Sequence, residues 1–156
     1  MNNELQDNPG VIAPPPLIYV ATLAVALLLN RAFPMKFLPR PLALSLGIPC
    51  FITSILLARS AFQEMRRANT NIDPRQPATT LVTEGPFRYT RNPLYSSLTL
   101  MYTGIALVTN AFWAMLLLPV TLLIINRGVI EREEHYLERK FGEQYLDYKA
   151  SVRRWI

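Results

Sequence analysis

From Asn92 to Asn126 the chain runs for 35 positions without a charged side chain. An α-helix rises about 1.5 Å per residue, so a single helix of that length would measure about 52 Å. The hydrocarbon core of a bilayer is only about 30 Å thick. The segment must therefore fold back on itself, and Thr109-Asn110 is the break it offers. Two further runs, Val11–Asn30 and Pro41–Ala58, are also free of charge. Charged residues make up 17% of the chain, against roughly 25% in ordinary soluble domains, and they gather between the apolar runs. Leu42–Leu57 lacks the polar stripe at helical spacing that a soluble bundle helix would show. The expected fold class is all-α, a multi-pass integral membrane bundle of about four spans at 17–33, 41–58, 94–109 and 111–126. A C-terminal amphipathic helical segment is expected to follow.

One domain is expected over 17–156, after a flexible tail at 1–16. Pro14-Pro15-Pro16 can open a helix but cannot sit inside one. The first two spans are expected to pair as an antiparallel hairpin through a tight turn around Phe33–Pro41. Arg59–Asn69 can prolong the second helix into water, and Asn69–Pro77 reads as loop from its prolines and turn residues. Pro119 is expected to kink the fourth span. Gly142 marks a break before a short helix over Glu143–Ser151. The third span is unusually polar, with Ser96, Ser97, Thr99, Thr103 and Gly104. Small residues of this kind allow close helix packing, and the same face is a candidate lining for a ligand cavity.

The net charge of +5 sits beside the apolar runs, a placement that suits juxtamembrane anchoring and anionic lipid rather than nucleic acid. The loop at 59–91 carries six basic residues against three acids, which points it towards the cytoplasm. Cys50 is the only cysteine, so neither a disulfide framework nor a thiolate metal site is expected. The N-terminus, with Glu4 and Asp7, is not that of a cleavable signal peptide. For a short chain without a targeting signal, the expected location is a prokaryotic inner membrane.

Two stretches have the wrong chemistry for mere spanning: Thr79–Tyr95 (TTLVTEGPFRYTRNPLY) and Arg127–Tyr148 (RGVIEREEHYLERKFGEQYLDY). Read alone, they are either a solvated anchor at the interface or the walls of a site. The run Gly85-Pro86-Phe87-Arg88-Tyr89-Thr90-Arg91-Asn92-Pro93-Leu94-Tyr95 resembles the G-P-Y-R-Y-x-R-H-P-x-Y motif of the isoprenylcysteine carboxyl methyltransferase family, which is related to the phospholipid methyltransferases. Glu133-Glu134, Phe141-Gly142, Tyr145 and Tyr148 are similar to that family's E-E…F-G-x-x-Y-x-x-Y ending. The resemblance covers roughly residues 77–156, in the family's order and spacing.

What it implies is an S-adenosylmethionine-dependent methyltransferase without a Rossmann domain, acting on a lipophilic acceptor such as an isoprenoid carboxylate or a phospholipid amine. The chain has no strand–glycine loop–helix unit of the dinucleotide-binding kind. Carried over position by position, the cofactor contacts fall on Thr79, Thr80, Leu81, Val82, Phe87, Asn92, Pro93, Leu94, Tyr95 and Glu133. No metal is implied. His135, the only histidine, is expected at an exposed or interfacial place rather than as a general base. Three positions depart from the family pattern: Asn92 replaces a histidine, Ser97 a frequent glycine, and Val129 the arginine that holds a substrate carboxylate. Arg127 and Arg132 are the residues that could stand in for that arginine, although helix geometry points them elsewhere. The main rival reading is an NADPH-dependent sterol-type reductase, whose motif R-H-P-N-Y-x-G-E is only partly matched by Arg91-Asn92-Pro93-Leu94-Tyr95-Ser96-Ser97-Leu98. A non-catalytic membrane interaction protein on the same scaffold is the third.

Overall fold

The computed structural model describes residues 7–155, so residues 1–6 of the expected tail lie outside the described residues. Six α-helices follow in chain order: α1 (Pro15–Ala32), α2 (Arg40–Arg67), α3 (Pro93–Val108), α4 (Phe112–Ile125), α5 (Glu131–Phe141) and α6 (Glu143–Ser151). There is no strand among the described residues. Each of α1, α2 and α3 opens with proline in its first turn, where the missing N–H costs nothing and the fixed φ favours the helix. Pro119 sits on an exposed face within α4, which continues through it.

Among the described residues, three helical stretches are long and apolar enough to cross a membrane: Pro15–Ala32, Arg40–Arg67 and Phe112–Phe141. The third is α4 and α5 joined without interruption by a π-helical turn over Asn126–Ile130. α3, at 16 residues, is apolar but shorter. The 35-residue uncharged run does fold back at Thr109-Asn110. Asn110 adopts φ +52°, a conformation asparagine tolerates better than most residues. Its buried side chain also ties the turn to the α1–α2 corner. Its Oδ1 accepts from the backbone N–H of Phe37 and Leu38 (3.2 Å each), and its Nδ2 donates to the Leu38 carbonyl at 2.6 Å. The Trp113 indole donates to the Phe33 carbonyl (2.9 Å) beside it.

The pairing of helices differs from the expected hairpin. α1 packs on α4 and, more lightly, on α3, whereas α2 packs along α3. The reason lies in side-chain size. Ala43, Gly47, Ser54 and Ala61 form the buried stripe of α2, and Gly104 meets it from α3. A Cβ added to Gly104 would lie 2.9 Å from the Phe51 backbone nitrogen and 3.0 Å from the Gly47 carbonyl oxygen. Three polar residues of α3, Ser97, Thr99 and Thr103, satisfy their hydroxyls within the helix or against α1. Ser97 and Thr103 return their hydroxyls to the carbonyls of Leu94 and Thr99, and Thr99 bonds the Tyr95 carbonyl and the Tyr19 phenol. Because backbone cannot yield as a side chain can, Gly104→Val is expected to cost about 1–3 kcal/mol or more by overpacking. Thermal unfolding in detergent should show a clear loss for Gly104→Val and little change for Thr103→Val.

The chain alternates direction, so every charged connection except the α1–α2 corner lies at one end of the bundle. There residues 7–14, residues 68–92 and the stretch from the π turn to Trp155 come together. A second small core of Ala61, Phe87, Tyr145 and Tyr148 fastens α2 and the 310 turn Gly85–Arg88 to α6.

Candidate functional site

At this polar end a cavity of about 150 Å³ opens between the 70–82 segment, the start of α3, and α5 and α6. Thr80, Leu81, Val82, Phe87, Asn92, Pro93, Leu94, Tyr95 and Glu133 all line it. Nine of the ten positions named from the sequence as cofactor contacts are thus gathered around one space, although Thr80 and Glu133 are 53 positions apart. The tenth, Thr79, is exposed and bonds the Asn69 carbonyl at 2.6 Å, closing the base of the loop with Thr70. Arg127 and Arg132 are exposed and do not line the cavity, and Arg132 instead donates to the Gly10 carbonyl at 2.8 Å. Val129 is fully buried in the core beside α1. His135 is exposed, its Nδ1 2.6 Å from the Glu131 carbonyl oxygen.

Two carboxylates meet the cavity in different ways. The Tyr95 phenol donates to Glu133 Oε1 at 2.5 Å, which fixes that carboxylate against the first turn of α3. Asp73, on the loop, is gripped by the Arg75 guanidinium through both oxygens and by the Arg75 backbone N–H. These bonds hold its pKa down to about 2, so it faces the cavity as an anion.

A polar network that the sequence reading did not assemble stands behind Glu133. Glu134 is buried, forms an ion pair with Arg91 Nη1 at 3.1 Å, and accepts from Nε and Nη2 along one edge of the Arg154 guanidinium, at 2.9 and 2.6 Å. Arg154 also donates to Asn126 Oδ1 in the π turn (3.1 Å). Its carbonyl oxygen accepts from Thr90 Oγ1 and Asn92 Nδ2, each at 3.0 Å. Asn92 therefore uses its amide to hold the C-terminal strand of chain rather than to cap α3. Arg91 Nη1 reaches the Tyr145 phenol at 3.4 Å, and burial pushes that phenol up to about 12, so it stays protonated. Tyr148 donates to the Phe87 carbonyl at 2.7 Å. Arg91, Glu134, Tyr145 and Tyr148 also line the cavity. The signal for them was present in the motif arginine and the Glu-Glu pair, but Arg154 lies in a tail with no pattern of its own.

Residues 42–144, about two thirds of the chain, match the phospholipid methyltransferase family. An uncharacterized protein of Haemophilus influenzae is 43% identical over 63 residues, which is 40% of this chain and all of that protein. Protein-S-isoprenylcysteine O-methyltransferase B of Arabidopsis thaliana is 30% identical over 115 residues, 68% of this chain and 55% of the plant protein. This chain therefore spans about half the length of that relative. No solved structure gives a significant match.

Proposed function

The chain belongs to the phospholipid methyltransferase family, and we propose that it transfers a methyl group from S-adenosylmethionine to a lipophilic acceptor drawn from the bilayer. Its three long apolar helices and its family make it an integral membrane protein. The observation that carries the reading is the convergence of Thr80–Val82, Phe87, Asn92–Tyr95 and Glu133 on one cavity at the polar end of the bundle. The methyl donor supplies an activated methyl group on a cationic sulfur. The residues present suit such a molecule: the Asp73 anion, the Glu133 carboxyl held by Tyr95, the aromatic wall of Phe87, and backbone groups of the 80–82 segment. Room is the one mismatch, since 150 Å³ falls below the roughly 300–1,000 Å³ of small-molecule sites. A wall must move outward for the donor to enter.

Methyl transfer needs the acceptor aligned behind the methyl group, so positioning and exclusion of water are the work left to the protein. Glu133, locked by Tyr95, is the fixed point for the donor's polar groups, and Leu81, Leu94 and Leu137 keep the cavity dry. The same lining favours an amine acceptor over a carboxylate. Its one guanidinium, Arg91, is committed to Glu134, and Asp73 is likewise paired with Arg75, whereas the Glu133 carboxyl has the Tyr95 phenol and no ion-pair partner among the described residues. Neither Val129 nor Arg127 nor Arg132 brings a cation to it. A phospholipid amine fits this balance better than the oxygen acceptor implied by the name of the plant relative. In this reading α3 and α4 are the third and fourth spans, α5 and α6 lie along the interface, and the cavity faces the cytoplasm of a prokaryotic inner membrane.

The test is transfer of label from methyl-labelled S-adenosylmethionine in vesicles. Label should enter phosphatidylethanolamine and not an isoprenylcysteine acid. Label entering the acid alone would overturn the amine assignment, and label in neither lipid would count against methyl transfer to a bilayer acceptor.

A further inference from the structure

The segment before α1 was expected as part of a flexible tail, yet residues 7–12 are tied to the site at every turn. The Asp7 carboxylate accepts from the Tyr136 phenol at 2.8 Å and from Lys140 Nζ, which is 2.8 Å from both of its oxygens. The Tyr136 oxygen in turn accepts from the Ala78 N–H at 3.0 Å. One carboxylate therefore links the N-terminal segment, α5 and the strand of chain that leads into Thr80–Val82. Pro9 forms part of the cavity wall. The Gly10 carbonyl takes the Arg132 guanidinium, and the Ile12 N–H donates to the Gly128 carbonyl at 3.2 Å. Gly128 lies in the π turn, and the Ile12 side chain sits so close over it that a Cβ there would collide with Ile12 Cδ1.

We propose that residues 7–12 form a strap which closes the cavity between Ala78 and the π turn, and which must lift for a nucleoside-sized ligand to pass. Two independent facts converge on it. The enclosed volume of the cavity is small for such a ligand, and the polar fastenings of the strap sit at its two ends, the Asp7 carboxylate on Lys140 and Tyr136 and the Ile12 N–H on the Gly128 carbonyl. Exposed ion pairs and single hydrogen bonds are weak fastenings, and elements of this kind open locally at low cost. The strap also bears on the π turn that sets the rotation of α5, and thus on where Glu133 points. The strap itself is argued from the geometry alone. Its role in holding the methyl donor rests on the proposed function.

The experiment separates the two. In a Cys50→Ala background, Leu81→Cys places a thiol on the cavity wall, and its rate of labelling by a maleimide reports opening without any cofactor. Asp7→Ala and Lys140→Ala should each raise that rate about two- to fivefold, the loss of one exposed ion pair. Arg139→Ala, an exposed change on the same helix, should not. Ile12→Gly should add to Asp7→Ala, and unchanged helical circular dichroism would exclude global unfolding. Equal labelling in parent, Asp7→Ala and Lys140→Ala would overturn the strap. A second arm, in proteins that keep Leu81 and Cys50, follows the dissociation rate of S-adenosylmethionine, which Asp7→Ala and Lys140→Ala should raise. Faster labelling in the first arm with no binding of that cofactor by the unsubstituted protein would keep the strap and remove the donor assignment instead.

Discussion

Glu133→Ala is expected to weaken binding of S-adenosylmethionine by about thirty- to a hundredfold, whereas His135→Ala changes it by less than about twofold. The asymmetry follows from placement. Glu133 lines the cavity and is held by the Tyr95 phenol at 2.5 Å, and hydrogen bonds to a charged group are worth about 1.5–3 kcal/mol each. His135 stands two positions later on α5 but is exposed, and its ring faces the Glu131 carbonyl of its own helix. Glu133→Gln separates charge from shape, because the amide oxygen can still accept from Tyr95. It should fall between wild type and alanine. Equilibrium titration of detergent-purified variants measures all three. Equal effects of the two alanine variants would refute the assignment of Glu133.

The second large effect concerns stability. Glu134 is buried with Arg91, and its other partners are the bidentate Arg154 and, at 4.0 Å, Lys149. Removing one partner of a buried ion pair leaves the other charge stranded, at about 3–5 kcal/mol. Glu134→Ala is therefore expected to lower unfolding stability by about that amount. It should also release residues 152–155 from the Thr90–Asn92 corner. Arg154→Ala should cost less, since Arg91 keeps its carboxylate. Thermal unfolding combined with proteolysis from the C-terminus checks both, and a Glu134→Ala protein as stable as Arg154→Ala would show that Arg91 has another counterion.

Much of this arrangement is legible in the sequence. The length of the uncharged run forced the turn at Thr109-Asn110, because a bilayer is thinner than the helix would be. Gly142 separates α5 from α6 where expected, and the helix of the second apolar run continues to Arg67. Nine of the ten cofactor positions proposed from the resemblance line the cavity. What the sequence did not disclose is tertiary. Which helices pair depends on small residues meeting across α2 and α3, and Gly47 and Gly104 are 57 positions apart. The π turn at Asn126–Ile130 has no residue signature that a periodicity could reveal, and the charge boundary at Arg127 read as a helix end. The strap looked like a tail because Asp7-Asn8-Pro9-Gly10 is turn-forming, has no periodicity, and precedes the three prolines at 14–16. Their partners, Tyr136, Lys140 and Gly128, lie more than a hundred positions away.

The central claim is that the cavity at the polar end takes a methyl donor. Calorimetric titration of the full chain in detergent micelles with S-adenosylmethionine, and in parallel with NADPH, tests it most directly. Saturable binding of S-adenosylmethionine in the micromolar range, lost in Glu133→Ala and absent with NADPH, is the predicted result. Binding of NADPH alone, or no binding of S-adenosylmethionine at high micromolar concentration, would contradict it.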